Sequence, residues 1–397
     1  MGTHFGVGFS NTRDPVVAGQ EAARQALQRA GIEKPDFVFL FATAGHPQEA
    51  VLSAVRETTG RAPLAGCSME GVITNGLTDE SNYAVGVTVI KSDEMRFRNA
   101  LVTGLKQDSE SVGRRMAEAL QPQVGQDAVG VFVMADGMTV NWDLLLEGFQ
   151  KTIKHDKFLP MLGGLAGDAF EFRATFQYSD DQVVQDGVAC VLLSGDVRLA
   201  TAINSGNRPF GTARTITRAQ GNTILEIDGK PALDVFKEYL TGSEMENWTK
   251  EAVLNLCLAF EAPSGLRERH DDYVIRFVPS KDDASKSISL PTNVVAGQKF
   301  WLSRRDKQHI MEGVDQVVQQ IKAQLGDAKP KMVFQFDCAG RGKALFRDQE
   351  KLAMLTRLQA GIGSSTPWMG AHTFGEIGPV GQTNAFHNYT LVLSVLY

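Results

Sequence analysis

Three acidic residues of this 397-residue chain stand in glycine-rich backbone. Glu70 lies in Gly66-Cys67-Ser68-Met69-Glu70-Gly71, Asp168 in Gly163-Gly164-Leu165-Ala166-Gly167-Asp168, and Glu376 in Thr373-Phe374-Gly375-Glu376-Ile377-Gly378-Pro379. Such a segment can offer a small polar ligand a carboxylate and backbone N–H groups together. Equally, the acid can satisfy the loop's own amides. A fourth segment, Cys338-Ala339-Gly340-Arg341-Gly342, follows a strand-like run. Ligands of sheet proteins bind beyond strand C-termini, and an arginine between glycines can aim its planar fork at a carboxylate or phosphate. The alternative is a solvent-facing arginine in a turn. Cys338, Arg341 and Glu376 are expected around one pocket, with Glu70, Asp168, Cys67, Ser68, Gly163 and Gly164 as further ligand-binding candidates. Arg341 on a carboxylate and Glu376 on an amine would read an amino-acid-like ligand at both ends.

Other chemistries fit less well. Gly340-Arg341-Gly342-Lys343 has a faint look of a phosphate loop, but Asp337 takes the first-glycine position and Ala344 replaces Ser or Thr. Gly66-Cys67-Ser68-Met69-Glu70 starts like a nucleophile elbow and puts Glu where the last glycine belongs. Cys67, Cys190, Cys257 and Cys338 form no C-x-x-C pair and no zinc spacing. A nucleophilic role for Cys67 or Cys338 lacks an evident base. The histidines at 4, 46, 155, 270, 309, 372 and 387 make no H-E-x-x-H cluster. His372 and His387 flank the Glu376 segment, where either could be an axial ligand or a hydrogen-bonded structural group. No G-x-G-x-x-G follows a strand, so a nicotinamide site is not supported.

The candidate segments recur because the chain repeats. Pro63-Leu64-Ala65-Gly66, Pro160-Met161-Leu162-Gly163 and Pro367-Trp368-Met369-Gly370 each follow a helix-like stretch. In each, proline stops the helix and glycine lets the backbone bend, which predicts a helix-to-strand connector loop. Strands are predicted after the connectors at 83–90, 187–193 and 389–396, and one helix before them at 36–41, 128–134 and 331–336. A further helix and a further strand precede each of these. The first helix has Asp14 as cap, Pro15 at its first position and Gly31 as its stop. The second begins near Asp108 with Val112, Met116 and Leu120 on one face, and the third near Asp306 with Ile310, Val314, Val317, Ile321 and Leu325 on one face. The opening strands are predicted at 4–9, 95–102 and 298–303.

The fold class is therefore α/β in composition, a mixed α+β arrangement. Mixed sheets carry packed helices, in three β-α-β-α-β-β units at 4–92, 94–196 and 296–397. A segment at 197–295 is inserted, with a helix at 232–240, strands at 253–260 and 273–278, and a charged stretch at 267–286 that reads as a solvated hairpin or linker. A net charge of −6 argues against a large nucleic-acid footprint. No apolar run reaches the ~18 residues of a membrane span, and no basic-then-apolar leader opens the chain, so a cytoplasmic protein with reduced thiols is expected.

In their order, Gly66–Gly71, Gly163–Asp168, Cys338–Gly342 and Gly375–Pro379, together with His387-Asn388-Tyr389-Thr390 before the last strand, resemble the FIST proteins. The resemblance covers nearly the whole chain: a FIST N region at 1–220 and a FIST C region at 221–397. It implies a cytosolic sensory module that binds a small ligand and signals through a partner protein, not an enzyme. Some relatives are haem proteins that sense nitric oxide and act on a histidine kinase, which makes haem with His372 or His387 as axial ligand the alternative reading. A homo-oligomer is a further expectation. His372 stands where relatives often carry an aromatic residue.

Overall fold

The computed structural model describes residues 2–262 and 273–397. Local signals in the sequence set its helices. The Asp14 carboxylate accepts N–H bonds from Val16 and Val17 at the start of Pro15–Ala30, and Gly31 closes that helix at φ 67°. Asp306 likewise caps Lys307–Leu325 through the N–H of His309. Asp108, extended at φ −160°, breaks Leu105–Leu120 into a short first turn and a main helix, and its carboxylate accepts the Ser111 N–H as the cap of the latter.

Each unit has an opening strand, a helix, a second strand, a helix, a third strand, a short hairpin and a closing strand. In the first unit the four main strands are His4–Ser10, Phe37–Thr43, Leu64–Met69 and Val85–Lys91, with the hairpin Gly71–Thr74/Leu77–Asp79. In the second they are Met95–Thr103, Ala128–Ala135, Met161–Leu165 and Gly187–Gly195, with the hairpin Gln177–Ser179/Gln182–Val184. In the third they are Leu199–Asn204, Met332–Cys338, Trp368–Thr373 and Leu391–Leu396, with the hairpin Glu376–Val380/Thr383–His387. Every unit builds its own sheet in the order opening, closing, second, third, and only the second and third strands run parallel.

The hairpins are exchanged. The second unit's hairpin pairs on the first unit's third strand, the third unit's on the second's, and the first unit's on the third's. The exchange closes a ring of three sheets. Main-chain hydrogen bonds thus join all three units, so no sheet is complete without its neighbour.

Inside the ring, equivalent residues meet. Phe39, Phe132 and Phe334 each stand one residue before the strand position that pairs with Gly66, Gly163 or Gly370. Their rings lie 5.2 Å (39–132), 5.2 Å (39–334) and 4.8 Å (132–334) apart, in edge-on or tilted contact.

Two expectations are corrected. The Pro-x-x-Gly segments are not connector loops: Gly66, Gly163 and Gly370 lie inside the third strands. A Cβ at any of them would collide with the carbonyl oxygen of Leu40, Val133 or Gln335 on the adjacent strand, so glycine serves a close approach rather than a bend. The strand predicted at 298–303 forms, as Lys299–Arg305, but it pairs with Asn207–Gln220 and Cys257–Glu261 of the insert. The third unit opens instead with Leu199–Asn204, paired to Leu391–Leu396. The insert therefore interrupts the third unit between its first strand and first helix, and a strand immediately before a capped helix imitated the repeat.

The insert has its own sheet and its own core around Phe236, Trp248, Leu258, Phe260 and Phe300. Of the charged stretch at 267–286, residues 267–272 lie outside the described residues. Beyond them, Ser280–Asp282 and Ser287–Ser289 form the expected hairpin.

Candidate functional site

Arg341 is fully buried. Its Nε donates to Asp337 Oδ1 at 2.8 Å, and its Nη1 donates to the carbonyls of Asn204 at 3.0 Å and Ser205 at 2.9 Å. The second Asp337 oxygen accepts from Gln335. Nε and Nη1 of the fork expected to face a ligand are thus spent on the protein, and Nη2 is buried without a partner. Arg341 ties the end of the strand Leu199–Asn204, where the chain leaves for the insert, to the turn after Met332–Cys338.

Glu376 is also fully buried, and it begins a hairpin strand rather than a glycine-rich loop. It accepts from Thr373 Oγ1 at 2.7 Å and from the Thr390 N–H at 3.2 Å. Burial pushes its carboxyl well above the usual range. The nearby Asp337 pushes the same way, and Thr373, Thr390 and Arg341 offset the rise only in part. A carboxyl so placed resists ionisation. Its backbone pairs with Gly164, and that of Ile377 with Gly163, so these two glycines serve the junction of the second and third units.

Glu70, Ser68 and Asp168 form one assembly across the first and second units. Ser68 Oγ donates to the Gly167 carbonyl at 2.8 Å and accepts from Phe176 N–H. Glu70 Oε1 accepts the N–H groups of Asp168 and Phe170, while Asp168 accepts those of Phe172, Arg173 and Ala174. The two acids thus satisfy loop amides, the plainer of the two readings. They hold Ala169, Phe170 and Phe172 at φ of 63°, 57° and 54°, a left-handed backbone that such side chains rarely adopt.

Glu70 Oε2 is buried without a partner. Burial pushes the Glu70 carboxyl up to about 7 against the two loop N–H groups, with the Asp168 charge adding and Lys343 opposing. The unfolded chain keeps the ordinary 4.5, so between about 4.5 and 7 the native state holds a proton that the unfolded state has lost. Stability from this group is therefore lost as pH rises through that window, up to about 3 kcal/mol at ~1.36 kcal/mol per unit. Glu70→Gln removes the titration. Denaturant melts of both proteins from pH 4.5 to 8 should show the variant gaining on the wild type as pH rises. Parallel pH curves would return Glu70 to an ordinary carboxyl.

The cleft that opens among these elements lies where the insert meets the ring. Phe170 and Phe172 come from the strained loop, Cys338 and Phe374 from the third unit, and Asn388 and Tyr389 from the turn before its closing strand. Phe172 and Phe374 stack at 5.0 Å with 10° between planes. Val253, Leu254 and Phe277 of the insert form the facing wall. Tyr389 OH donates to the Val253 carbonyl, and Arg305 bridges the carbonyls of Leu254 and Gly340, so hydrogen bonds cross the cleft's base. The inner space is about 30 Å³ and half open. Phe170 and Leu254 also line an outer cleft of about 240 Å³, together with Glu171 and Lys343.

Of the expected trio, only Cys338 lines this cleft. Burial, then Glu376 and Asp337, push its thiol well up, and burial does the same to Cys67 in the ring core. Neither environment favours the thiolate a nucleophile needs. His372 Nε2 meets Thr78 Oγ1 at 3.1 Å and Glu80 at 3.8 Å, and His387 Nε2 meets the Gly378 carbonyl at 3.2 Å. Both rings are buried and neither lines the cleft, so these residues do not fit an axial role in a haem slot there. Among the described residues no group of three His, Cys, Asp or Glu could hold a metal ion.

The residues that do line the cleft were missed, apart from Cys338. Asn388 and Tyr389 lay in the quoted segment before the last strand, and Phe374 in the Glu376 segment. Phe170, Phe172 and Leu254 carry no local signal, because only folding brings them together.

A FIST N domain family model matches residues 36–230 and a FIST C domain family model residues 232–379. An uncharacterized protein of Mycobacterium bovis is 27% identical over 409 residues, covering 98% of each chain. An uncharacterized protein of Mycobacterium tuberculosis is 25% identical over 406 residues, covering 98% of this chain and 99% of its own. Among solved structures, a chorismatase is similar at a TM-score of 0.37 and 8% identity over 100% of this chain and 99% of that one, too slight a likeness to carry fold or function across.

Proposed function

The chain belongs to the FIST family, whose domains are associated with sensory signal transduction, and from that premise we propose that it is a sensor for a small ligand, taken up in the cleft between insert and ring. One observation carries this reading. The cleft is walled by three parts of the chain, the loop strung on Glu70 and Asp168, the third unit and the insert, so a ligand there touches all three at once. Such a ligand can change how the insert sits on the ring, and a surface change of that kind can be passed by contact to a partner protein. A signalling protein such as a histidine kinase is the partner class the family implies. Among the described residues no helix is long and apolar enough to cross a membrane.

Thermal-shift screening of a metabolite library against the wild type and Leu254→Trp tests the reading. Leu254 lines both the inner space and the outer cleft, and the larger ring of tryptophan would take up room in both. At a hundredfold excess over Kd a true ligand should stabilise the wild type by about 2.7 kcal/mol, and the variant should lose that shift. A library without such a compound, or hits that stabilise both proteins equally, would overturn it.

A further inference from the structure

We infer that the ligand of this cleft is an uncharged, flat ring that carries a hydrogen-bond acceptor, the acceptor being met by Asn388 Nδ2. The inference rests on the cleft being the sensory site and names what the site selects. Among the described residues no charged side chain lines the inner space; Glu171, paired with Arg173, and Lys343, bonded to the Glu80 carbonyl, line only the outer cleft. A carboxylate or ammonium entering the inner space would lose its water without gaining a counter-ion, and an unpaired charge in such surroundings is far costlier than an unpaired amide or hydroxyl. The charged groups behind the wall do not line it: Arg341 bonds Asp337, Asn204 and Ser205, Arg305 bonds the Leu254 and Gly340 carbonyls, and Glu376 accepts from Thr373 and Thr390, with Arg341 Nη2 and Arg305 Nε left unpartnered.

The wall has the shape for a ring. Phe170, Phe172 and Phe374 form one aromatic cluster, with centroids 5.0 to 6.3 Å apart, and Phe277 and Tyr389 add two more rings to the lining. Aromatic faces hold flat rings by stacking or edge-on contact. As it stands, the space of about 30 Å³ suits one or two waters. Moving Phe170 and Leu254 joins it to the outer cleft of about 240 Å³, and a cavity of ~150 Å³ already takes benzene.

One polar atom in the wall is unused. Asn388 is buried, and its Oδ1 accepts the N–H of Phe277, which fixes the amide's orientation. That leaves Nδ2 as the free end, buried and without a partner. A buried amide donor gains by meeting an acceptor, so a ligand carbonyl or ring nitrogen is preferred to a bare hydrocarbon.

Calorimetric titration with acetophenone, ethylbenzene, benzoate and phenylalanine separates the possibilities on the wild type. Acetophenone should bind, ethylbenzene about tenfold more weakly for want of the acceptor, and the two charged compounds should not bind. In Asn388→Asp, which keeps the acceptor for Phe277 and removes the donor, acetophenone should lose its tenfold advantage. Equal affinities for acetophenone and ethylbenzene in the wild type would overturn the role of Asn388. Tighter binding of benzoate or phenylalanine, or a charged library hit, lost in Leu254→Trp, would overturn the ligand class and leave the sensory cleft standing. If no probe and no library compound is sensitive to Leu254→Trp, the cleft reading itself falls.

Discussion

Truncating Arg341 to alanine should cost about 3 to 5 kcal/mol of folding stability, the loss expected when one partner of a buried ion pair is removed. The cause is what remains behind. Asp337 is fully buried, and without Arg341 Nε it keeps only the Gln335 amide on one oxygen. The Asn204 and Ser205 carbonyls lose the same guanidinium. Arg341→Lys should recover little, because an ammonium group cannot reach Asp337 and two carbonyls with one planar fork. Denaturant unfolding of Arg341→Ala, Asp337→Asn and the double variant measures this directly. The double variant should cost clearly less than the two singles added together, since removing both charges leaves neither unpaired. Additive losses, or a cost below 1 kcal/mol for Arg341→Ala, would show that the buried pair does not hold this turn. Arg341 acts through position, because the turn it fixes includes Ala339 and Gly340, which floor the cleft.

The other large effect is expected at the centre of the ring. Phe334→Ala should cost about 3 to 5 kcal/mol, the range for deleting a buried phenylalanine. Phe334 is fully buried and meets both Phe39 and Phe132. These three rings come from three different sheets, so the cavity cannot close by one sheet relaxing alone. Pairing Phe334→Ala with Phe39→Ala should be non-additive by more than ~0.5 kcal/mol, as for residues sharing one cavity. Strict additivity in urea melts would mean that the three rings do not pack as one cluster.

Signals read within a few residues held up best. Asp14 with Pro15 and Gly31, and Asp306 with its apolar face, placed two helices because capping and amphipathic packing act over one or two turns. Asp108 held too: it caps the main part of Leu105–Leu120 by accepting the Ser111 N–H, with one short turn before it. Among the site candidates, the residue types were informative and their roles were not. Glu70, Asp168 and Ser68 do make the hydrogen bonds their chemistry suggests, but to loop amides. Arg341 does make charge-assisted hydrogen bonds, but to Asp337 through Nε and to two backbone carbonyls through Nη1.

By itself the sequence determined the three-unit repeat, most of its strands and helices, the presence of an insert, and the family resemblance, since all of these are carried by order and local pattern along the chain. Only the tertiary structure decided which sheet each hairpin joins, where the third unit opens, and which polar groups are used up. Those outcomes depend on partners far apart in the chain: Ser68 with Gly167 across 99 residues, Arg341 with Asn204 across 137, Lys343 with Glu80 across 263. A buried polar group takes whatever partner the packed fold brings within hydrogen-bond distance, and nothing in its neighbouring residues specifies which that is. Asn388 shows the converse: the fold gives its Oδ1 the N–H of Phe277 and leaves its Nδ2 with none.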